Sequence, residues 1–146
     1  MGKFGRLRAE GGASAVEFAL LAPLLFMLVF AIIGFGVAFM QMQTIRGALR
    51  EGGRAAATGS SANEVRDHVV SSSTGSVSCP GGGSACVDVH PNTGNNPVCT
   101  HQNIGADATV SYDASNLPDG GITVSVPFLP VFHLTPTLEA NFRCEV

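Results

Sequence analysis

Apolar and polar positions divide this chain into two unlike pieces. From Ala13 to Met40 the sequence is almost continuously apolar, broken by one charge, Glu17. As a helix rising about 1.5 Å per residue, this run is about 42 Å long, against a bilayer hydrocarbon core of about 30 Å. It predicts a membrane-spanning helix over about 13–40, because the remaining residues are too few to wrap such a segment in a soluble core. Helical character continues through QMQTIRGALREGGRAAAT, where Arg46, Arg50 and Arg54 fall at i, i+4 spacing. That stripe reads as a solvated or headgroup-facing edge. Gly47, Gly52 and Gly53 each cost about 1 kcal/mol relative to alanine inside a helix, so bending or fraying is expected there. Gly59 suits the left-handed cap that stops a helix, giving one long helix over 13–58.

A second helix starts at Ser61-Ala62-Asn63-Glu64, which fits a capping box. Val65 and Val69 share its apolar face, and it should end near Ser72. The stretch from Ser73 to Ala85, with its GGG after Cys79-Pro80, can only be a loop. It lacks the GK[ST] ending of a phosphate-binding loop. Period-two alternation then marks four half-buried strands: Val87 and Val89; Ala108, Val110 and Tyr112; Ile122, Val124 and Val126; and Leu138, Ala140, Phe142, Cys144 and Val146. Asp119-Gly120-Gly121 is a turn signal, so the second and third strands are expected to form a hairpin. The expected fold is α+β: a long N-terminal transmembrane helix, a short second helix, and a small antiparallel sheet packed on the helix. Residues 59–146 form the head.

Charge removes one class of function. The formal net charge is −3, without the clustered basic face that nucleic acid requires. Basic residues stand on both sides of the apolar run (Lys3, Arg6 and Arg8 before it; Arg46, Arg50 and Arg54 after it), so the positive-inside rule leaves orientation open. Cysteine usage narrows it. Cys79, Cys86, Cys99 and Cys144 all follow the run, and an even number in a small, loop-rich head reads as two disulfides in an oxidising compartment. Cys144 shares the covered phase of the last strand, whereas Cys86 lies in the opposite phase from Val87 and Val89. Opposite faces cannot be bridged without moving backbone, which favours Cys79–Cys86 with Cys99–Cys144, although sequence leaves three connectivities open. His68, His90, His101 and His133 are scattered. Cys99-Thr100-His101 offers zinc-ligand types but fits no common site spacing. No metal, cofactor or catalytic residue is expected, and the chain reads as a non-enzyme.

The chemistry-bearing stretch is Gly12-Ala13-Ser14-Ala15-Val16-Glu17-Phe18 followed by ALLAPLL, behind the short basic segment MGKFGRLRAEGG. A secretory signal has an apolar stretch of about 7–15 residues before its cleavage site; here the apolar stretch is far longer and lies after the glycines. The pattern GGASAVEFALLAPLLFMLVFAIIGFG resembles the processing site and helix of type IV-like prepilins of the Tad/Flp branch. More closely, with the Arg-Ala-Ala-Ala continuation and the ending ITVSVPF…LEANFRCEV, it resembles the TadE-like family of pilus-assembly pseudopilins. The resemblance implies a leader over 1–12 cut by a prepilin peptidase after Gly12, a new α-amino group at Ala13, and a processing motif that includes Glu17 and Phe18. It also implies that Glu17 acts in assembly, with Pro23 a frequent feature of the helix. The implied partners are membrane lipid, other pilin subunits through the N-terminal helix, the prepilin peptidase and the Tad secretion machinery, with no nucleic acid. The N-terminus would lie inside the cytoplasmic membrane and the head outside, with later display on the cell surface or pilus. Two alternatives stay open: an uncleaved signal-anchored surface binding protein, and the major filament subunit. Ala31, Gly34 and Ala38 set small residues at helical spacing, which admits close helix–helix approach.

Overall fold

The computed structural model describes residues 10–73, 79, 86–115, 121–124 and 131–145. The apolar run and its polar continuation form one uninterrupted helix, α1 (Glu10–Ala57), followed by α2 (Ala62–Ser72). The strands are β1 (Val87–His90), β2 (Asp107–Asp113), β3 (Ile122–Val124), β4 (Phe132–Leu134) and β5 (Thr137–Arg143). The architecture is α+β. A three-stranded antiparallel sheet of order β1-β2-β5 lies over α1 and α2, and β3 and β4 form a separate antiparallel pair whose β3 also packs on α1.

Alternation decides which face of the sheet is covered. In β2, Ala108, Val110 and Tyr112 are buried, and Tyr112 and Val110 face Leu138 and Ala140 of β5 across the ladder. In β1, Val87 and Val89 are buried while Asp88 and His90 are exposed. These side chains meet Ile45, Ala48, Leu49 and Ala56 of α1 and Val65 and Val69 of α2 in one core. Burial and the neighbouring Asp113 carboxylate raise the Tyr112 phenol above its ordinary pKa.

The start of α2 is fixed locally. The Ser61 hydroxyl accepts from the Glu64 amide (3.3 Å), and the Glu64 carboxylate accepts from the Ser61 amide (2.9 Å) and hydroxyl (3.0 Å). The amide bond and then the hydroxyl bond hold Glu64 below the ordinary carboxylate range. Arg66 fastens α2 to the outer strand, donating from Nε to the Val87 carbonyl (3.1 Å) and pairing with Asp88 (3.3 Å).

Three expectations are corrected. The hairpin between the strands of Ala108–Tyr112 and Ile122–Val126 does not form: β2 has β1 and β5 on its two edges, and β3 pairs with β4. Two seven-residue strands with matched apolar positions bury more than a pairing with the short β3 could, and β3 is redirected at Gly121, whose φ is +70°. Asp119 and Gly120 of the turn signal, like Val126 and Val146, lie outside the described residues. β4 was not anticipated: VFHLTP offers no alternation long enough to read.

The third correction concerns Gly52 and Gly53. Both are buried inside a continuous helix instead of fraying it. A Cβ on Gly52 would collide with Cγ2 of Val69, and one on Gly53 would lie 3.1 Å from the Phe142 ring. The glycines are where α2 and β5 come down onto α1. Gly47, by contrast, has nothing within 4 Å of an added Cβ. Gly47→Ala should therefore stabilise the head by up to about 1 kcal/mol. Gly52→Ala should destabilise it by about 1–2 kcal/mol, overpacking outweighing the propensity gain. Urea unfolding of the detergent-solubilised protein tests the opposite signs; equal effects would show that the glycines do not seat the head.

Candidate membrane and assembly helix

Every residue of α1 from Ser14 to Phe30 is exposed except Ala22, which is half-buried. This surface is built from Leu20, Leu21, Leu24, Leu25, Phe26, Leu28 and their neighbours, with Leu24 at 70% exposure. Soluble monomers rarely carry contiguous apolar patches above a few hundred Å², so this face must be covered by lipid or by other chains. Ser14–Ala57 is long and apolar enough to cross a membrane.

The predicted processing and assembly residues lie together on the first turns of α1. Gly12 is exposed, with nothing within 4 Å of an added Cβ, and Ala13 follows it in the same helix. Gly11 and Gly12 weaken the helix there, at about 1 kcal/mol each. Glu17 and Phe18 are exposed, and Glu17 has no ion-pair partner among the described residues. Pro23 sits within α1, and the helix continues through it. Proline removes one backbone donor, a loss that neighbouring helical turns tolerate in membrane segments.

That helix is similar to the TadE-like family. Residues 12–54 match the model of the TadE-like protein family, a segment that opens at Gly12 and closes beside the buried Gly52 and Gly53. No curated protein and no solved structure matches the chain.

The TadE-like segment is used for two purposes along its length. Its first half is bare. Its second half seats the head, and that seat reaches back into the apolar run: Ala38 is buried within the head core, and Ala31 packs against it. Ala31 and Ala38 of the small-residue stripe thus pack on the chain's own head, and Gly34 between them is half-buried. The repeated small side chains were a legible signal for close approach; what would approach was not.

Two disulfides close the head. Cys79 is joined to Cys86, and Cys99 to Cys144, each with Cα atoms 5.3 Å apart. The second ties the middle loop to the end of β5, where the Cys144 amide donates to the Ala106 carbonyl (3.1 Å) and the Gly105 amide to the Cys144 carbonyl (2.9 Å). Cys99 is therefore not available beside His101 as a zinc ligand. Cys86, expected on the open side of the sheet, is buried. It precedes β1, its amide donates to Sγ of Cys79 (3.2 Å), and its carbonyl accepts from Asp113 (3.2 Å). The phase of β1 does not hold at the residue before it.

Proposed function

We propose that this protein is a minor pilin or pseudopilin of a Tad-type pilus, held in the cytoplasmic membrane by α1 with its disulfide-closed head outside. In this role a prepilin peptidase removes residues 1–12, and the mature helix then packs with other pilin helices in the pilus or its initiating complex. The role is structural and involves no catalysis. The observation that carries it is the TadE-like match over residues 12–54, which contains Gly12, Ala13, Glu17 and a helix whose apolar face is bare. The TadE-like match supports association with the Tad pilus system and the membrane. Cleavage after Gly12 follows from the chemistry of the stretch: a small residue at the cut, and an apolar helix kept on the mature side.

The N-terminal residue of membrane-extracted protein tests this. Mature chains should begin at Ala13, and Gly12→Leu should leave the full-length precursor in the membrane. A wild-type chain that keeps residues 1–12 would instead favour an uncleaved signal anchor, and normal maturation of Gly12→Leu would place the cut elsewhere.

A further inference from the structure

The head begins on α1 at the level where a bilayer would end. We propose that the β3–β4 hairpin is a second membrane contact, with Val131 and Phe132 resting in the interfacial layer of the bilayer that α1 crosses. This rests on the membrane-anchored reading above and adds to it a lipid-facing surface on the head itself.

Depth along α1 is the first reason. Counted from Ser14, a hydrocarbon core of about 30 Å takes up about 20 helical residues, and a headgroup layer of about 5–7 Å takes about four more. The outer boundary therefore falls in the turns around Gly34–Ala38. Ala38 is only 3% exposed and belongs to the head core, and Ala31 is half-buried against that core. Part of the head must lie at this level.

The direction of β5 identifies which part. Leu138 to Asn141 flank Arg46, Leu49 and Arg50, and the Phe142 ring lies over Gly53, so β5 runs in the same direction as α1. Its Thr137 end is the end nearer the bilayer. Beyond it lie Ala114 and the start of β3, where an added Cβ on Gly121 would come within 2.6 Å of Ala114 and 3.2 Å of the Leu134 carbonyl. The hairpin thus extends the head toward the membrane, with β3 packed on α1.

Its surface suits that position. Ile122 and Val124 of β3 are each 1% exposed, whereas Phe132, paired with Val124, is 45% exposed and the adjoining Val131 51%. The only other large apolar side chain exposed on the described residues of the head is Ile104. It stands beside Gly105, whose carbonyl accepts from Arg143 at the far end of β5. In sequence the segment joining β3 to β4, SVPFLP, carries no charge. Val131 and Phe132 thus stand at the end of the head nearer the bilayer.

The chain contains no tryptophan, so single substitutions report position without background, and indole is at home in the interfacial layer. The full-length protein would be reconstituted in phosphatidylcholine vesicles with or without lipid brominated high or low on the acyl chain. Phe132→Trp, and Val131→Trp as a second probe, should lose more than half of their emission to the shallow quencher and less to the deep one. Phe26→Trp, in the middle of the bare helix, should be quenched most by the deep one, and Ile104→Trp by neither. Phe132→Trp and Val131→Trp that are unquenched while Phe26→Trp is quenched would overturn the hairpin contact and leave the membrane anchor standing. Blue-shifted but unquenched emission at the hairpin would assign that surface to a second chain and equally overturn it. Unquenched Phe26→Trp would overturn the anchor, and the hairpin contact with it.

Discussion

Cells carrying Glu17→Ala should retain the protein in the membrane and lose its incorporation into pili. Glu17 stands four residues after Ala13, about 6 Å deeper along the helix axis. A carboxylate there is costly in lipid, by an amount that depends on depth and on local thinning of the bilayer. Alanine removes that cost, so insertion should be unchanged or improved. In the proposed assembly, the α-amino group released at Ala13 of a neighbouring helix, staggered by about one turn, meets the carboxylate and offsets its desolvation. Removing one partner of a buried charge pair costs about 2–5 kcal/mol, because the other charge is left unpaired. Each subunit contact would weaken by about that much, enough to halt polymerisation. Glu17→Gln keeps the shape, lacks the charge, and should fail in the same way. The readout is the amount of this chain in sheared pili, normalised to membrane levels. Wild-type yield from Glu17→Ala cells would show that the carboxylate does not set the register of assembly.

Replacing Cys99 and Cys144 together by alanine should cost the head about 4 kcal/mol, against about 2.5 kcal/mol for Cys79 and Cys86, in the chain-entropy account of loop closure. The difference follows from the closed loops, whose ends are 45 and 7 residues apart in sequence. The longer loop contains β2, β3, β4 and β5, so its bond limits the unfolded freedom of nearly the whole sheet. A loss of about 4 kcal/mol corresponds to about 15–30 °C in a domain of this size, enough to unfold a marginal head at growth temperature. Protease resistance across a urea series, on detergent-solubilised protein, measures both variants. A Cys79/Cys86 loss equal to or larger than the Cys99/Cys144 loss would show that loop entropy is not what these bonds contribute.

The pairing itself shows how far sequence reasoning reached. Phase in β5 put Cys144 on the covered face, and it is buried there although it stands one residue past the strand, held by its bond to Cys99 and by its amide's hydrogen bond to Ala106. The same reasoning misplaced Cys86, which stands outside β1 and is turned inward by its contact with Cys79. Gly52 and Gly53 were misjudged for a related reason. Helix propensity counts the backbone cost of a glycine but is blind to the side chain that will occupy the space, here Val69 and Phe142.

What the chain determines locally was legible from the sequence alone. The apolar run, its single carboxylate, the small residues at Gly12 and Ala13, the capping box at Ser61 and Glu64, and the alternation of β1, β2 and β5 each depend on interactions within a few residues or on contact with solvent and lipid. Tertiary structure decided the rest. That β2 pairs with β5 and β1 instead of β3 depends on comparing burial between strands distant in sequence, a comparison no local pattern contains. That the head climbs onto α1 as far as Ala31, and leaves Phe132 exposed, depends on where two glycines let α2 and β5 settle. Small residues mark in sequence where close packing is possible; only the assembled core determines what fills the space.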